Sequence, residues 1–404
     1  PYGAFRGFGA PQSQFACERH MDRIASEIGI DPVEIRRLNL VREGDATATG
    51  QVIRDGADRI EVMERALEMS DFRQRTSEHA EFNGSDPTLR RGMGLATFFH
   101  GAGFTGAGEV FLDSEVHVAG LPDGRIEART ANVEMGQGTL TVFTQLVCDR
   151  LGVPAESVVI APADTARVPN SGPTVASRTV MVVGGLLEVA CDDLRSEVGL
   201  GPDDDGGVLL QAVADWHEAH AGQELIGRAK YRQPEHIEWD DESYRGDAYG
   251  AFAWGAYVAD VEVDLRTFAV RVRDFVAVQE IGRVLHETLA RGQIQGGVVQ
   301  ALGWALLEEC KWADGAMENA QLTNYIIPTT ADVPPIRVGF LEAPYPHGAG
   351  GAKGIGELPF DGVAPAVANA VAAALGVDPT FVPLTPERLM DLTLQAAGSE
   401  GGAP

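Results

Sequence analysis

Glu357 closes a glycine-rich run, Gly348 through Gly356, and a carboxylate in a dry, backbone-walled pocket has its pKa raised and can act as a general base. This run is one of four similar loops; the others are Ala4-Phe5-Arg6-Gly7-Phe8-Gly9, Glu134-Met135-Gly136-Gln137-Gly138 and Pro173-Thr174-Val175-Ala176-Ser177-Arg178. Glycines and small residues let backbone N–H groups approach a ligand closely, and such nests at helix N-termini favour phosphates and other anions. Read singly, each loop is more often just a turn. Neither Gly-x-Gly-x-x-Gly after a strand nor a Walker loop occurs, which argues against a dinucleotide fold or a nucleoside triphosphatase.

The elements that must position these loops follow from periodicity. Helices are expected at residues 12–28, where Phe15, Met21, Ile24, Ala25 and Ile28 share a face, just after Asp31-Pro32, and at 59–70. From Gly92 the pattern turns to strand: 95–99, 109–112, 115–118 and, after the turn Pro122-Asp123-Gly124, 126–133. Helices are expected again at 139–151 and 178–194, each after a small-residue loop. Residues 251–278 read as two long paired strands joined at Asp264-Leu265-Arg266-Thr267. A helix at 292–309, strands near Tyr325 and at 336–341, and an Ala/Val-rich helix at 364–375 complete the pattern. The sum is an α+β protein of intertwined domains. The polar stretch 42–56 marks a boundary, giving expected units at 1–55 and 56–396 and a frayed tail at 397–404.

Composition narrows the function. A chain of 404 residues, 44% of them hydrophobic, can bury a sizeable core. The formal charge of −27, with no Lys/Arg cluster to offset it, leaves nucleic acid and membrane as unexpected partners. Cys17, Cys148, Cys191 and Cys310 include no close pair, so no disulfide framework, zinc knuckle or iron–sulfur cluster is expected on this chain alone. His217 and His220 lack the i, i+4 spacing of a helical zinc site and read as an ordinary exposed helix, and the acidic loop around Asp203-Asp204-Asp205 as solvated surface. No apolar run approaches the roughly 20 residues of a membrane span, and no leader opens the chain, so a cytoplasmic location is expected. The start at Pro1-Tyr2-Gly3, without Met, suggests a processed product or a fragment.

Taken in order, the loops resemble one family, the molybdenum hydroxylases of the xanthine dehydrogenase and aldehyde oxidoreductase type. Five of that family's motifs have matches here: Phe-Arg-Gly-Phe-Gly-x-Pro-Gln at 5–12, Met-Gly-Gln-Gly at 135–138, Pro-Thr-x-Ala-Ser at 173–177, Gly292-Gln293 before Leu302-Gly303, and Lys-x-x-Gly-Glu-x-Pro at 353–359. The resemblance implies an α+β fold of intertwined molybdopterin-binding domains and covers nearly the whole chain. It also implies roles. Met135, Gly136, Gln137 and Gly138 would hold a molybdopterin, in its cytosine dinucleotide form, by backbone and amide hydrogen bonds. Gly7, Ser177, Lys353 and Gly356 would complete its walls, with Gln293 bonding the cofactor near its dithiolene. Arg6 and Ala176 would reach the molybdenum centre through main-chain contacts. Phe8 and Phe104 would sandwich a planar substrate, with Thr105 at its edge. The alternatives are a core aromatic for Phe104 and a structural ion pair for Arg6.

In such a family Glu357 is the base that activates a water-derived oxygen toward an electron-poor C–H bond, while hydride passes to a sulfido ligand on molybdenum. The implied substrate is an aromatic N-heterocycle, with an aldehyde as the alternative. A carbon monoxide dehydrogenase-like chain would need a Cys where Gly7 stands, and a cofactor carrier would have no use for Glu357. Two departures stand out. Ala301 replaces a usual Gly, and the upstream half of the family's catalytic subunit is absent. The resemblance therefore implies a partner chain supplying that half, with iron–sulfur and FAD subunits carrying electrons away.

Overall fold

The computed structural model describes residues 3–54 and 56–400. Pro1 and Tyr2, which open the sequence, and the end of the expected tail, 401–404, lie outside them. Helices α1 (Ala10–Ile28), α2 (Pro32–Asn39), α3 (Arg59–Met69) and α4 (Phe72–Ser85) lead into strand β1 (Leu89–Ala102). After the short α5 (Gly108–Leu112) come β2 (Glu115–Gly120), β3 (Ile126–Arg129), α6 (Thr139–Leu151), β4 (Val158–Ile160), α7 (Gly185–Glu197), α8 (Gly206–Ala219) and β5 (Leu225–Lys230). The ribbon β6 (Trp239–Asp240) and β7 (Arg245–Gly246) precedes β8 (Ala251–Asp264), β9 (Val270–Glu280) and α9 (Glu287–Leu306). A second ribbon, β10 (Trp312–Ala313) and β11 (Ala316–Met317), then β12 (Ile336–Leu341), α10 (Leu358–Asp361), α11 (Val363–Leu375) and α12 (Pro386–Glu400) close the chain.

Two four-stranded sheets organise these elements. The larger runs β1-β8-β9-β12, antiparallel except for the parallel β9/β12 pair; the smaller runs β4-β3-β2-β5. In β1 the side chains alternate by the period of two. Ala96 and Phe98 enter the core shared with α11 and α9, whereas Met93 and Leu95 face the core built around Val62, Met63 and Ala66 of α3. The smaller sheet buries Val116, Val118, Ile126 and Ala128 beneath Phe143, Leu146, Leu187 and Leu194 of α6 and α7.

Contact between β1 and α11 is set by glycine. A Cβ on Gly94 would lie 2.1 Å from the carbonyl oxygen of Ala366 and 2.2 Å from the nitrogen of Ala370. Helix and strand backbones touch there directly. Helix α11 with α10 also makes an apolar run, Leu358–Leu375, long enough by composition to cross a membrane, which corrects the expectation that no such run exists. Its window is 83% buried inside the fold, as for a core helix.

Most expected elements are present, including the long β8/β9 pair. Two expectations fail. Residues 109–112 form helix α5 rather than a strand, because the buried Glu109 turns inward to Arg178 and to the backbone N–H of Phe104 while Val110 and Phe111 face outward. Tyr325 lies in a turn, its N–H donating to Gln321 O. The helix expected at 178–194 is present, beginning as a π-helical turn over Thr179–Gly184 before α7. Helix α12, moreover, continues through Glu400, into the stretch expected to fray.

The close approach of β1 and α11 yields a stability test. Gly94→Ala should lower stability by about 1–3 kcal/mol, the usual penalty of overpacking, because a backbone rather than a flexible side chain must yield. A thermal or urea unfolding midpoint equal to wild type would contradict this account.

Candidate active site

The first loop is tied to two others by Arg6. Its Nε donates to Gly356 O at 2.5 Å, one Nη to Gln293 O at 3.1 Å and to Gln293 Oε1 at 3.3 Å, and the other Nη to Gln300 Oε1 at 3.0 Å. These acceptors are neutral. Arg6 is therefore not the structural ion-pair residue considered above; it is a cross-link between residues 5–9, helix α9 and the turn before Glu357. Phe5 follows it down, its ring edge-on to Phe360 at 5.6 Å between centroids.

Gly7, Phe8 and Gly9 all carry positive φ, and so do Ala176 and Ser177. Left-handed backbone at non-glycine residues such as Phe8, Ala176 and Ser177 stores strain, and such strain gathers at functional sites. Here neighbours enforce it. The N–H of Gly103 donates to Ala176 O at 2.9 Å, and a Cβ on Gly354 would collide with Ser177 O, so the backbones of the third and fourth loops are in contact.

Glu357 lies at this junction. Ser177 Oγ–H donates to Glu357 Oε2 at 3.1 Å while Ser177 Oγ accepts the Glu357 N–H, also at 3.1 Å. His100 Nε2 is 3.3 Å from the same Oε2 and His100 Nδ1 is 2.7 Å from Oδ2 of Asp361. Burial pushes the Glu357 carboxyl up, but the hydrogen bond and charge of His100, with Ser177 and the Gly7 N–H, outweigh it and hold the pKa below the ordinary value. The expected raised pKa is thus corrected: the carboxylate is largely enclosed, yet its surroundings supply donors. Burial likewise opposes charge on His100, and its bonds to Asp361 and Glu357 nonetheless push it up to about 9. Asp361, wholly buried, is pushed up to about 6, chiefly by that burial.

Other expected residues fall around this centre or away from it. Phe8 is 74% exposed, and Phe104 is partly buried and lines a cleft of about 630 Å³ together with Tyr231, Tyr249, Tyr345 and His347, so it is not a core aromatic. Thr105 Oγ–H donates to the Tyr249 hydroxyl at 2.8 Å. Lys353, expected at the cofactor, is instead fully buried, its ammonium bonded to Glu280 at 2.7 Å and Phe252 O at 2.9 Å; that structural pair cross-links the Gly-rich run to the sheet. The Gln137 amide, expected to face the cofactor, is engaged within its own loop, bonding the Met135 N–H, Val133 O and Thr139 Oγ.

The same loop shows what it can bind. Glu134 extends its carboxylate over the N-terminus of α6 and accepts from the N–H groups of Gly136 (2.7 Å), Gly138 (3.0 Å) and Leu140 (3.1 Å). An anion thus already occupies this nest. Beside it the buried Asn132 Oδ1 has no partner among the described residues, Met135 is exposed, and Gly136 has open space where a Cβ would stand. With those N–H groups taken by Glu134, the loop offers open space at Gly136 and the unpartnered Asn132 acceptor, which fits a cofactor that presents N–H donors.

A family model described as the molybdopterin cofactor-binding domain matches residues 65–334, and a second of the same description matches 1–40. The chain belongs to the molybdopterin cofactor-binding family. The xanthine dehydrogenase molybdenum-binding subunit of Escherichia coli O157:H7 is 33% identical over 96% of this chain and 53% of that protein. Among solved structures, quinoline 2-oxidoreductase of Pseudomonas putida 86 superposes with a TM-score of 0.82 at 31% identity, over 98% of this chain and 53% of that one. The aldehyde oxidoreductase of Desulfovibrio gigas gives 0.83 at 28% identity, over 97% of this chain and 42% of that one. This molybdopterin-binding chain thus has the expected α+β fold and spans about half the length of the curated relatives it matches.

Residues that no motif announced complete the site. Arg178 is fully buried, bonded to both oxygens of Glu109 (2.8–3.0 Å) and to Ser114 Oγ (2.7 Å), and Glu109 Oε1 accepts the Phe104 N–H at 3.1 Å. It locks the Ala176 turn to the Phe104 loop. Arg178→Met should lower stability by about 3–5 kcal/mol, since Glu109 would be left buried without its counter-charge. An unfolding midpoint within error of wild type would show that the pair does not carry this junction.

Proposed function

We infer that this chain is the cofactor-embracing part of the molybdenum-binding subunit of a xanthine dehydrogenase-type hydroxylase, with Glu357 as its base. The observation that carries the reading is the meeting of three loops, those of Gly7, Ser177 and Gly356, on one ionised carboxylate. When bound, the molybdopterin supplies two-electron redox chemistry at molybdenum, in its cytosine dinucleotide form with a sulfido ligand. The chain's own residues do the rest. The Met135–Gly138 backbone and Gln293 would hold the cofactor, Gly7, Gly356 and Ser177 would complete its walls, and the Arg6 and Ala176 main chains would reach the metal. Phe8 and Phe104 flank a planar substrate and Thr105 meets its edge.

An aromatic N-heterocycle is the favoured substrate class. The exposed Phe8, the partly buried Phe104 lining its cleft, and the likeness to quinoline 2-oxidoreductase support it. The likeness to the Desulfovibrio gigas aldehyde oxidoreductase keeps an aldehyde as the second reading. A carboxylate held ionised accepts a proton from a water-derived nucleophile at neutral pH, and the strained loops fix its direction. That matched relatives are named as subunits supports the partner reading: iron–sulfur and FAD subunits take the electrons away.

Glu357→Gln keeps the shape and removes the base. In the assembled complex it should retain molybdenum while turnover of an N-heterocycle, read with an artificial electron acceptor, falls by roughly two or more orders of magnitude. Near-normal turnover in a fully loaded mutant would sink the assignment. Substrate class is settled separately by comparing hypoxanthine, nicotinate and simple aldehydes on the same preparation.

A further inference from the structure

Glu357 and Asp361 stand four residues apart, at the N-cap and the end of the single-turn helix α10, so their carboxylates fall on one face. His100, near the end of β1, stands between them with one ring nitrogen toward each. A nitrogen that meets an ionised carboxylate must donate, and two such contacts require both nitrogens to carry hydrogen. Asp361 has one hydrogen-bond partner among the described residues, His100, and its Oδ1 is buried without any. Such a carboxylate is poorly compensated for stability. Its placement is explained by what it does to the imidazole.

Glu357 Oε2 takes both His100 and Ser177, and the Gly7 N–H also donates to the carboxylate. We propose that His100, anchored by Asp361, is a positioning residue for Glu357, holding its carboxylate against Ser177. This rests on the reading of Glu357 as the base.

Charge balance follows from the same geometry. The ionisable groups that act on this cluster are His100 from β1, Glu357 and Asp361 from α10, Arg6 from the first loop and Tyr257 from β8. With Tyr257 neutral, two cations face two anions. Replacing His100 by a neutral group leaves two carboxylates on one cation, which makes Glu357 easier to protonate. A base must be ionised to work, so activity is then lost at a higher pH than in wild type.

The test uses the assembled complex carrying His100→Gln or Asp361→Asn, with Glu357→Gln in parallel. Both positioning variants should keep wild-type molybdenum content and a KM close to wild type. For His100→Gln, kcat should fall roughly tenfold, less than for loss of the base itself. The acid limb of kcat/KM should move up by about one pH unit, the lower end of the effect of a neighbouring charge. Asp361→Asn should move it the same way by less. Crystal structures of the variant complexes supply a readout independent of turnover: the Glu357 carboxylate should leave Ser177 in His100→Gln. An unmoved acid limb with Glu357 still seated on Ser177 overturns the proposal, and so does loss of molybdenum from both variants, which would make the pair structural. Near-normal turnover in Glu357→Gln would instead overturn the base reading itself.

Discussion

A guanidinium cannot be buried unless its donors are met, and Arg6 meets them only where the two ends of the chain converge. Its acceptors lie as far as 350 residues away, in the turn before Glu357, and 287 and 294 residues away in helix α9. Once that guanidinium is seated, the loop carrying Phe8 is fixed relative to α9, and Glu357 relative to both. A side chain that reached a single acceptor would let these loops hinge. Four neutral carbonyl and amide oxygens hold it without creating a buried ion pair, whose desolvation would oppose folding.

The glycines near this junction do different work from those in ordinary turns. In β1, Gly94 lets the strand backbone rest on the backbone of α11, so α11 is close enough to follow the strand. Helix α10 leads directly into α11, and Glu357 caps α10. The carboxylate is thus attached to the most deeply buried helix of the fold, while the ring that orients it comes from the strand pressed against that helix. Packing sets the His100 to Glu357 distance, which loop chemistry alone would leave loose.

This arrangement explains what could be read from the residues alone. Glycine-rich loops announce themselves, because positive φ and close backbone approach restrict the residue type; Phe5 to Gly9, Met135 to Gly138 and Glu357 were therefore legible, whereas Pro173 to Ser177, which has no glycine, was legible only through its likeness to a family motif. Long strands such as β8 and β9 were equally visible through their alternation. His100 and Asp361 were not, since they meet only after β1 pairs with β8 and α11 crosses it, and neither belongs to a spaced motif. Arg178 and Glu109 stayed hidden for the same reason, and a buried Glu inside an apolar run made 109–112 look like a strand. Lys353 erred in the opposite direction. It lies within a motif, but its side chain turns away from the loop into an ion pair with Glu280.

The same distinction bears on how an enclosing pocket sets the charge of its base. From the glycine-rich surroundings one expects desolvation to dominate and the carboxyl to be hard to ionise. Desolvation is indeed the largest single influence on Glu357, yet His100, Ser177 and the Gly7 N–H together exceed it. Asp361, just as near to His100, goes the other way because it is buried more deeply and one oxygen meets no donor. Two carboxylates on one helical turn are thereby driven apart, one ionised and facing the loops, the other reluctant and sealed in the core. Such a division of neighbouring acids is what lets one of them work as a base while the other only steadies the group between them.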